Sequence, residues 1–319
     1  MKRIIAADIG GTNSRFGVFA ADEKGTLHLS RSIWLKTQQA SSFLNLLEQA
    51  LAKGLPLSPA ETDVAVFAVA GPVARRVSSA PPLIPWEIRI EVLRQAFGLE
   101  QSWLINDFVA QAYACLTPIM ESAQELLPGE ADHTAAKAVI GAGTGLGHAA
   151  LLPDGLGGYI PSPSEGGHAP FPFESAAEIP YLEFLLREVG GPYVISNTVV
   201  SGRGLSLVHQ FLTGEKLPPE QLLACAREDS ETVQWMARFY GRACRNYALQ
   251  ILAQGGVYIT GGVAAKLPCL VSHQEFVREF RSSRTMPGVL AKIPVFLNQN
   301  EESGLWGAAT AALHDFTKV

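Results

Sequence analysis

Two separated stretches of this sequence place glycines, small polar side chains and a carboxylate where a phosphate chain could be held. Asp8 lies near the end of the apolar run Ile4 to Ile9, Gly10-Gly11-Thr12-Asn13 follows, and Arg15 to Ala20 returns to strand composition. Adjacent glycines let backbone N–H groups approach an anion, Thr12 and Asn13 add donors, and Asp8 could hold a cation or its water beside them. Taken alone, the same residues are better read as a tight turn. The device recurs, however: Ala136 to Ile140, then Gly141-Ala-Gly143-Thr144-Gly145-Leu-Gly147, then His148 to Leu152. Two strand–turn–strand units of this kind suit the two ends of one metal-bound polyphosphate. Neither has the Gly-x-x-x-x-Gly-Lys-Ser/Thr spacing, and the second lacks Gly-x-Gly-x-x-Gly and the helix that a dinucleotide-binding turn opens.

Three further groups stand out, of which the first two could act on a second substrate. Asp107 ends Trp103-Leu-Ile-Asn106-Asp107, just past the C-terminal edge of a strand, where ligands gather in open α/β sheets. It also fits a helix N-cap for Phe108 to Leu116, and both roles are compatible. Glu165-Gly-Gly-His168 offers an acceptor and a donor–acceptor pair on a glycine loop, which a polyhydroxylated ring needs; a paired loop carboxylate and histidine is the alternative. Gly261-Gly262 follows the short strand Val257 to Thr260.

The elements that must position these groups alternate. After the first hairpin come a strand at Leu27 to Leu35 and a helix with Phe43, Leu44, Leu47, Ala50 and Leu51 on one face, capped by Ser41 or Ser42. A strand follows at Asp63 to Ala70, a helix at Glu87 to Phe97 stopped by Gly98, and a strand at Ser102 to Ile105. This order requires a mixed sheet, antiparallel at the hairpin and parallel afterward. The second half restarts at Ala136 and adds helices at Ser175 to Val189, Gly204 to Leu212, Pro219 to Arg227 and Thr232 to Ala253. It continues with strand Val257 to Thr260, helix Gln274 to Arg281, strand Ile293 to Leu297 and a last helix from Glu302 to Phe316.

Composition bounds the partners. A chain of 319 residues with 47% hydrophobic content supports two cores. A net charge of −5 argues against nucleic acid or a polybasic membrane contact. Cys115, Cys225, Cys244 and Cys269 are scattered without Cys-x-x-Cys, which implies neither a zinc ribbon nor a disulfide framework. Asp8 interrupts the N-terminal apolar run too early for a signal peptide, and no segment approaches the roughly 20 apolar residues of a membrane span. A cytoplasmic location is expected.

Asp8-Ile-Gly-Gly-Thr-Asn13, Ile105-Asn-Asp-Phe108, Gly141-Ala-Gly-Thr-Gly-Leu-Gly147, Glu165-Gly-Gly-His168 and Ile259-Thr-Gly-Gly-Val263 occur in one order. In that order they resemble the bacterial glucokinases, the non-zinc, hexokinase-like branch of the actin-like ATPase superfamily. The likeness runs from residue 4 to about residue 310. It implies an α/β fold of two ribonuclease-H-like (actin-like ATPase) domains with mixed sheets flanking a central cleft. The smaller domain would hold residues 1–107 and 301–319, and the larger residues 108–300. The implied activity is ATP-dependent phosphorylation of glucose at its 6-hydroxyl. By the same resemblance Asp107 is the general base, and Asn106, Glu165 and His168 join it in binding the sugar. Gly10, Gly11, Thr12, Asn13, Gly143, Thr144 and Gly145 would hold the phosphates of ATP, Gly261 and Gly262 the adenosine, and Asp8 a magnesium ion through water. In the zinc-containing branch the histidine is followed by a cysteine cluster. Here His168 is followed by Ala169-Pro170-Phe171, so no zinc is expected. Relatives are often dimers, and the apolar C-terminal helices are compatible with a homodimer.

Two stretches depart from the family pattern, and both concern the sugar. Ser78-Ser-Ala-Pro-Pro-Leu-Ile-Pro-Trp86 replaces a Thr-Asn pair before a Pro-Trp element, and Asn197 stands where a glutamate usually precedes the Val-Leu-Ser-Gly-Pro-Gly-Leu stretch. Asn197 is therefore carried as a sugar-binding position with altered chemistry. A kinase for another hexose or amino sugar, a non-catalytic sugar sensor, and an actin-like ATPase without a sugar substrate remain as alternatives.

Overall fold

The computed structural model of the chain describes residues 1–316. The chain divides into two compact units, one comprising Met1–Glu121 and the chain from Asn300 on, the other Ser122–Gln299.

In the first unit β1 (Lys2–Ile9), β2 (Asn13–Ala21), β3 (Leu27–Lys36), β4 (Val64–Val69) and, after the short pair β5 (Ser78–Ser79) and β6 (Ile88–Arg89), β7 (Ser102–Asn106) form the main elements. The five-stranded sheet has the order β3-β2-β1-β4-β7, antiparallel among the first three and parallel from β1 through β7. This is the mixed sheet expected from the alternation of elements. The period-2 geometry of a strand sends Ile5, Ala7 and Ile9 to one face and Ile4 and Ala6 to the other, and both faces are covered. On the first face lies α1 (Phe43–Ala52), capped by Ser42 through Asn45 N–H. Its buried stripe is Phe43, Leu46, Leu47 and Ala50, whereas Leu44 and Leu51 face solvent. The expected stripe was therefore rotated by part of a turn.

The helix anticipated from Glu87 starts later, as α2 (Ile90–Phe97), because Ile88–Arg89 pair with Ser78–Ser79. Gly98 ends it in the left-handed conformation, φ 68°, returning its N–H to Arg94. On the opposite face of the sheet, α3 (Asp107–Ala114) packs with the C-terminal helix Ser303–Phe316. A Cβ on Gly307 would come within 1.7 Å of the Ala110 carbonyl oxygen, so only glycine lets these helices cross so closely. That packing moves the first unit's boundary to Glu121, beyond residue 107 where the sequence placed it.

The second unit repeats the topology. Its strands are β8 (Gln124–Leu127), β9 (Lys137–Ala142), β10 (Leu146–Pro153), β11 (Tyr159–Ser164), β12 (Val257–Thr260) and β13 (Val295–Leu297). Their order is β11-β10-β9-β12-β13-β8, with β9, β12 and β13 parallel and the rest antiparallel. Beside the sheet stand α4 (Ile179–Val189), α5 (Ser196–Val199), α6 (Gly202–Thr213), α7 (Pro219–Cys225) and α8 (Glu231–Gln250). α8 is the axis of the core, burying Val233, Met236, Phe239, Tyr240, Cys244 and Tyr247. It also carries Arg242, 2% exposed, against the Glu178 and Glu279 carboxylates at 2.7 and 2.9 Å. Among the described residues no helix is long and apolar enough to cross a membrane.

Candidate active site

In the first unit the turn between β1 and β2 is closed by the Gly10 N–H donating to Asn13 O at 3.0 Å. It rests on Thr37, 1% exposed, whose hydroxyl donates to Gly10 O at 2.7 Å and whose N–H donates to Thr12 O. Lys36 Nζ donates to Asn13 Oδ1 at 2.8 Å and brings a cation to the rim. Sequence reasoning missed both residues, since nothing local in Lys36-Thr37 points back to a turn formed earlier in the chain.

Asp8 and Arg15 are directly paired across β1 and β2, and the guanidinium sits 3.4 Å from Asp8 Oδ2. Arg15 is no simple surface residue: it stacks on Trp34 at 4.3 Å and approaches Glu301 at 3.7 Å. Burial holds the Asp8 carboxyl above the usual carboxylate range, and Arg15 opposes that shift. A partly buried carboxylate that is costly to ionise is a donor a divalent cation would relieve, so Asp8 fits the magnesium role by its chemistry.

Asn106, not Asp107, caps α3: its Oδ1 accepts from Phe108 and Val109 N–H, and its Nδ2 donates to Gly71 O at 3.1 Å. Asp107 is the first helical residue, half-buried, with Oδ1 accepting from its neighbour Phe108 N–H at 3.0 Å. Asn106 thus spends its carbonyl and one amide hydrogen on the backbone, and the carboxylate beside it stands at a helix N-terminus. The Ser78–Trp86 segment packs against the same region. A Cβ on Gly11 would stand 2.7 Å from Leu83 Cβ, and one on Gly71 would stand 3.3 Å from Pro82.

In the second unit, parallel pairing of Gly141 with Thr260 brings the Gly141–Gly147 turn and Gly261-Gly262 to one edge of the sheet. Tyr240 supports that edge from α8, its hydroxyl accepting from Ala142 N–H at 3.0 Å, a contact spanning 98 positions that no sequence pattern announces. Gly143 donates its N–H to Gly145 O, and Thr144 is exposed at the tip. A Cβ on Gly143 or Gly262 would meet nothing within 4 Å, and neither glycine needs a positive φ. Neither glycine is required by the protein's own packing. Gly261 differs: φ is 92°, and a Cβ would lie 2.6 Å from Ala142 O.

The Glu165–His168 loop forms a short 3-10 turn in which Gly167 is buried so tightly that a Cβ would lie 2.0 Å from Leu146 O. Glu165 and His168 are exposed, with Oε2 and Nε2 3.6 Å apart. Asn197, on α5, accepts the Leu146 N–H through Oδ1 at 2.6 Å and meets His168 Nε2 through Nδ2 at 3.2 Å. The second unit therefore gathers Gly143–Gly145, Gly261-Gly262, Glu165, His168 and Asn197; the first holds Asp8, Gly10–Asn13, Asn106 and Asp107.

A family model described as Glucokinase matches residues 5–315. The chain belongs to the glucokinase family. A glucokinase of Nostoc sp. is 31% identical over 346 residues, covering 98% of this chain and 99% of that protein. The crystal structure of a glucokinase from an Antarctic psychrotroph superposes with a TM-score of 0.83 at 27% identity, covering 98% and 99% of the two chains. The fold also matches the Balamuthia mandrillaris glucokinase solved in complex with glucose, with a TM-score of 0.80 at 20% identity over 98% and 94% of the chains. Both α/β units thus take the architecture of the glucokinase fold. Within this glucokinase family, the two departures noted from sequence fall in structured places: Ser78–Trp86 against Gly11 and Gly71, and Asn197 between Leu146 and His168.

Proposed function

We propose that this chain transfers the γ-phosphoryl group of ATP to the 6-hydroxyl of glucose in the cytoplasm. The observation that carries this reading is that two glycine turns, a helix-mounted carboxylate and the exposed Glu165–His168 loop all occur in a chain that belongs to the glucokinase family along its length. Asp107 accepts the proton of the 6-hydroxyl as that oxygen attacks the γ-phosphorus. The new oxygen–phosphorus bond forms, the bond from the γ-phosphorus to the β,γ-bridging oxygen breaks, and ADP departs with that electron pair. Gly10–Asn13 and Gly143–Gly145 hold the phosphates, Gly261-Gly262 the adenosine, and Asn106, Glu165 and His168 take sugar hydroxyls. A magnesium ion, held through water by Asp8, would neutralise phosphate charge.

The test is Asp107→Asn with a panel of hexoses and N-acetylhexosamines. The reading expects glucose-dependent ADP release in the wild type. In the variant kcat should fall about 10²- to 10⁴-fold while glucose binding survives. Near-normal turnover in the variant removes Asp107 as base. Turnover with another hexose alone overturns the choice of glucose, and sugar binding without turnover makes the chain a sensor.

A further inference from the structure

Asn197 joins two parts of the second unit through the two ends of one carboxamide. A backbone N–H can only donate, so Leu146 N–H at 2.6 Å fixes the oxygen of Asn197 on its own side. The amide nitrogen is then the atom facing His168 Nε2 at 3.2 Å, and an amide nitrogen only donates. His168 Nε2 must accept, which leaves the ring proton on Nδ1. With a lone pair at Nε2, Glu165 Oε2 at 3.6 Å receives no hydrogen bond from that nitrogen, and its carboxylate stays available to other donors. The fit is close: a Cβ on Gly167 would lie 2.4 Å from Asn197 Oδ1, and one on Gly145 would lie 3.2 Å away. Two glycines thus make room for this side chain, one in the phosphate turn and one in the histidine loop.

We propose that Asn197 is a positioning residue that acts through His168. It selects the tautomer in which Nδ1–H is presented as a donor to a sugar hydroxyl oxygen, and it ties that loop to the Gly143–Gly145 turn. The inference rests on the hexokinase reading for its substrate, and on the two hydrogen bonds of Asn197 for its tautomer. It also separates the carboxamide's two ends. Asn197→Asp keeps an acceptor for Leu146 N–H but replaces the donor toward Nε2 with a second acceptor, so the ring proton moves to Nε2. Asn197→Leu loses both ends at similar volume.

Ring nitrogen-15 spectra of the ligand-free wild type at about pH 8, above the ordinary histidine range, read the tautomer directly. The expected result is a protonated Nδ1 and a lone-pair Nε2 for His168, reversed in Asn197→Asp. Steady-state kinetics supply the second arm. Asn197→Asp should raise the glucose KM about tenfold with the ATP KM unchanged, whereas Asn197→Leu should raise both. In a His168→Ala background, Asn197→Asp should add nothing to the glucose KM. A wild-type ring protonated at Nε2, or additive effects in the double variant, overturns the proposal. Absence of sugar turnover in the wild type overturns the functional reading instead, and the spectra still decide the tautomer.

Discussion

Gly304, in the C-terminal helix, faces Asp8 so closely that a Cβ built on it would stand 2.7 Å from Asp8 Oδ2. The helix therefore roofs the carboxylate, and the burial that lifts its ionisation arises partly from this contact. Gly304→Ala should lower stability by about 1–3 kcal/mol by overpacking and raise the KM for Mg-ATP. Asp8→Asn should separate stability from function. Because the folded-state pKa lies above the unfolded one, the folded protein binds more protons between the two values. Stability is then lost as pH rises through that interval, and the loss persists at neutral pH. An amide escapes it, so Asp8→Asn should melt higher than the wild type at pH 7 without nucleotide. Its kcat should nevertheless fall about 10²-fold. A lower melting temperature would show that the pair with Arg15 outweighs desolvation.

Gly143 and Gly262 can be distinguished from Gly167 by what surrounds them. The first two have open space where a side chain would go, whereas Gly167 has the Leu146 carbonyl oxygen 2.0 Å away. Gly143→Ala and Gly262→Ala should leave stability within about 0.5 kcal/mol and raise the ATP KM about tenfold or more. Gly167→Ala should lose stability outright. Urea melts alongside ATP titrations check both, and alanine variants with unchanged ATP KM would remove these glycines from the nucleotide site.

Which parts of this arrangement were legible follows from how local their causes are. The hairpins, the glycine turns and the Ser42 cap depend on neighbours within a few positions, and their residues announced them. The supports beneath the turns were not visible. Thr37 reaches Gly10 across 27 positions and Tyr240 reaches Ala142 across 98, and any strand-end threonine or core tyrosine has the same local sequence. The extension of the first compact unit to Glu121 has the same kind of cause. α3 belongs with a helix whose Ser303 hydroxyl bonds Gln111 across 192 positions. Asn106 and Asp107 are both good N-caps, and only the extended backbone at Asn106, ψ 147°, decides between them.

Arg75 and Arg76 occupy the left-handed region, φ 49° and 64°, in a turn closed by Val77 N–H to Ala74 O at 3.0 Å. Positive φ at both central positions defines a type I′ turn, which favours asparagine then glycine. Each arginine carries about 1–2 kcal/mol of left-handed strain. Arg76 recovers some by lying over Trp103 at 4.8 Å, so Arg75 is the better site to change. Arg75→Asn should stabilise the first unit by about 0.5–1 kcal/mol, seen as a higher urea midpoint at constant slope. A gain at Arg76→Asn exceeding that at Arg75→Asn would contradict the assignment.

His148 is 5% exposed on β10, its Nδ1 buried without a partner among the described residues and its ring 4.6 Å from that of Tyr247. Burial disfavours the imidazolium and lowers its pKa to about 4. The unfolded chain takes up the proton near pH 6.5 while the folded chain refuses it until about pH 4. Between those values the unfolded state binds more protons, so stability falls as pH falls, by about 1.4 kcal/mol per unit and about 3 kcal/mol in all. Carboxylate protonation also weakens the fold on acidification, but it is common to wild type and variant. His148→Leu, which keeps an apolar side chain against Tyr247, should therefore lose less stability between pH 7 and about pH 4.5, with the two curves diverging below pH 6.5. Urea unfolding of both proteins across that range measures the divergence. Parallel curves would mean that the imidazole finds a partner for its charge inside the folded unit.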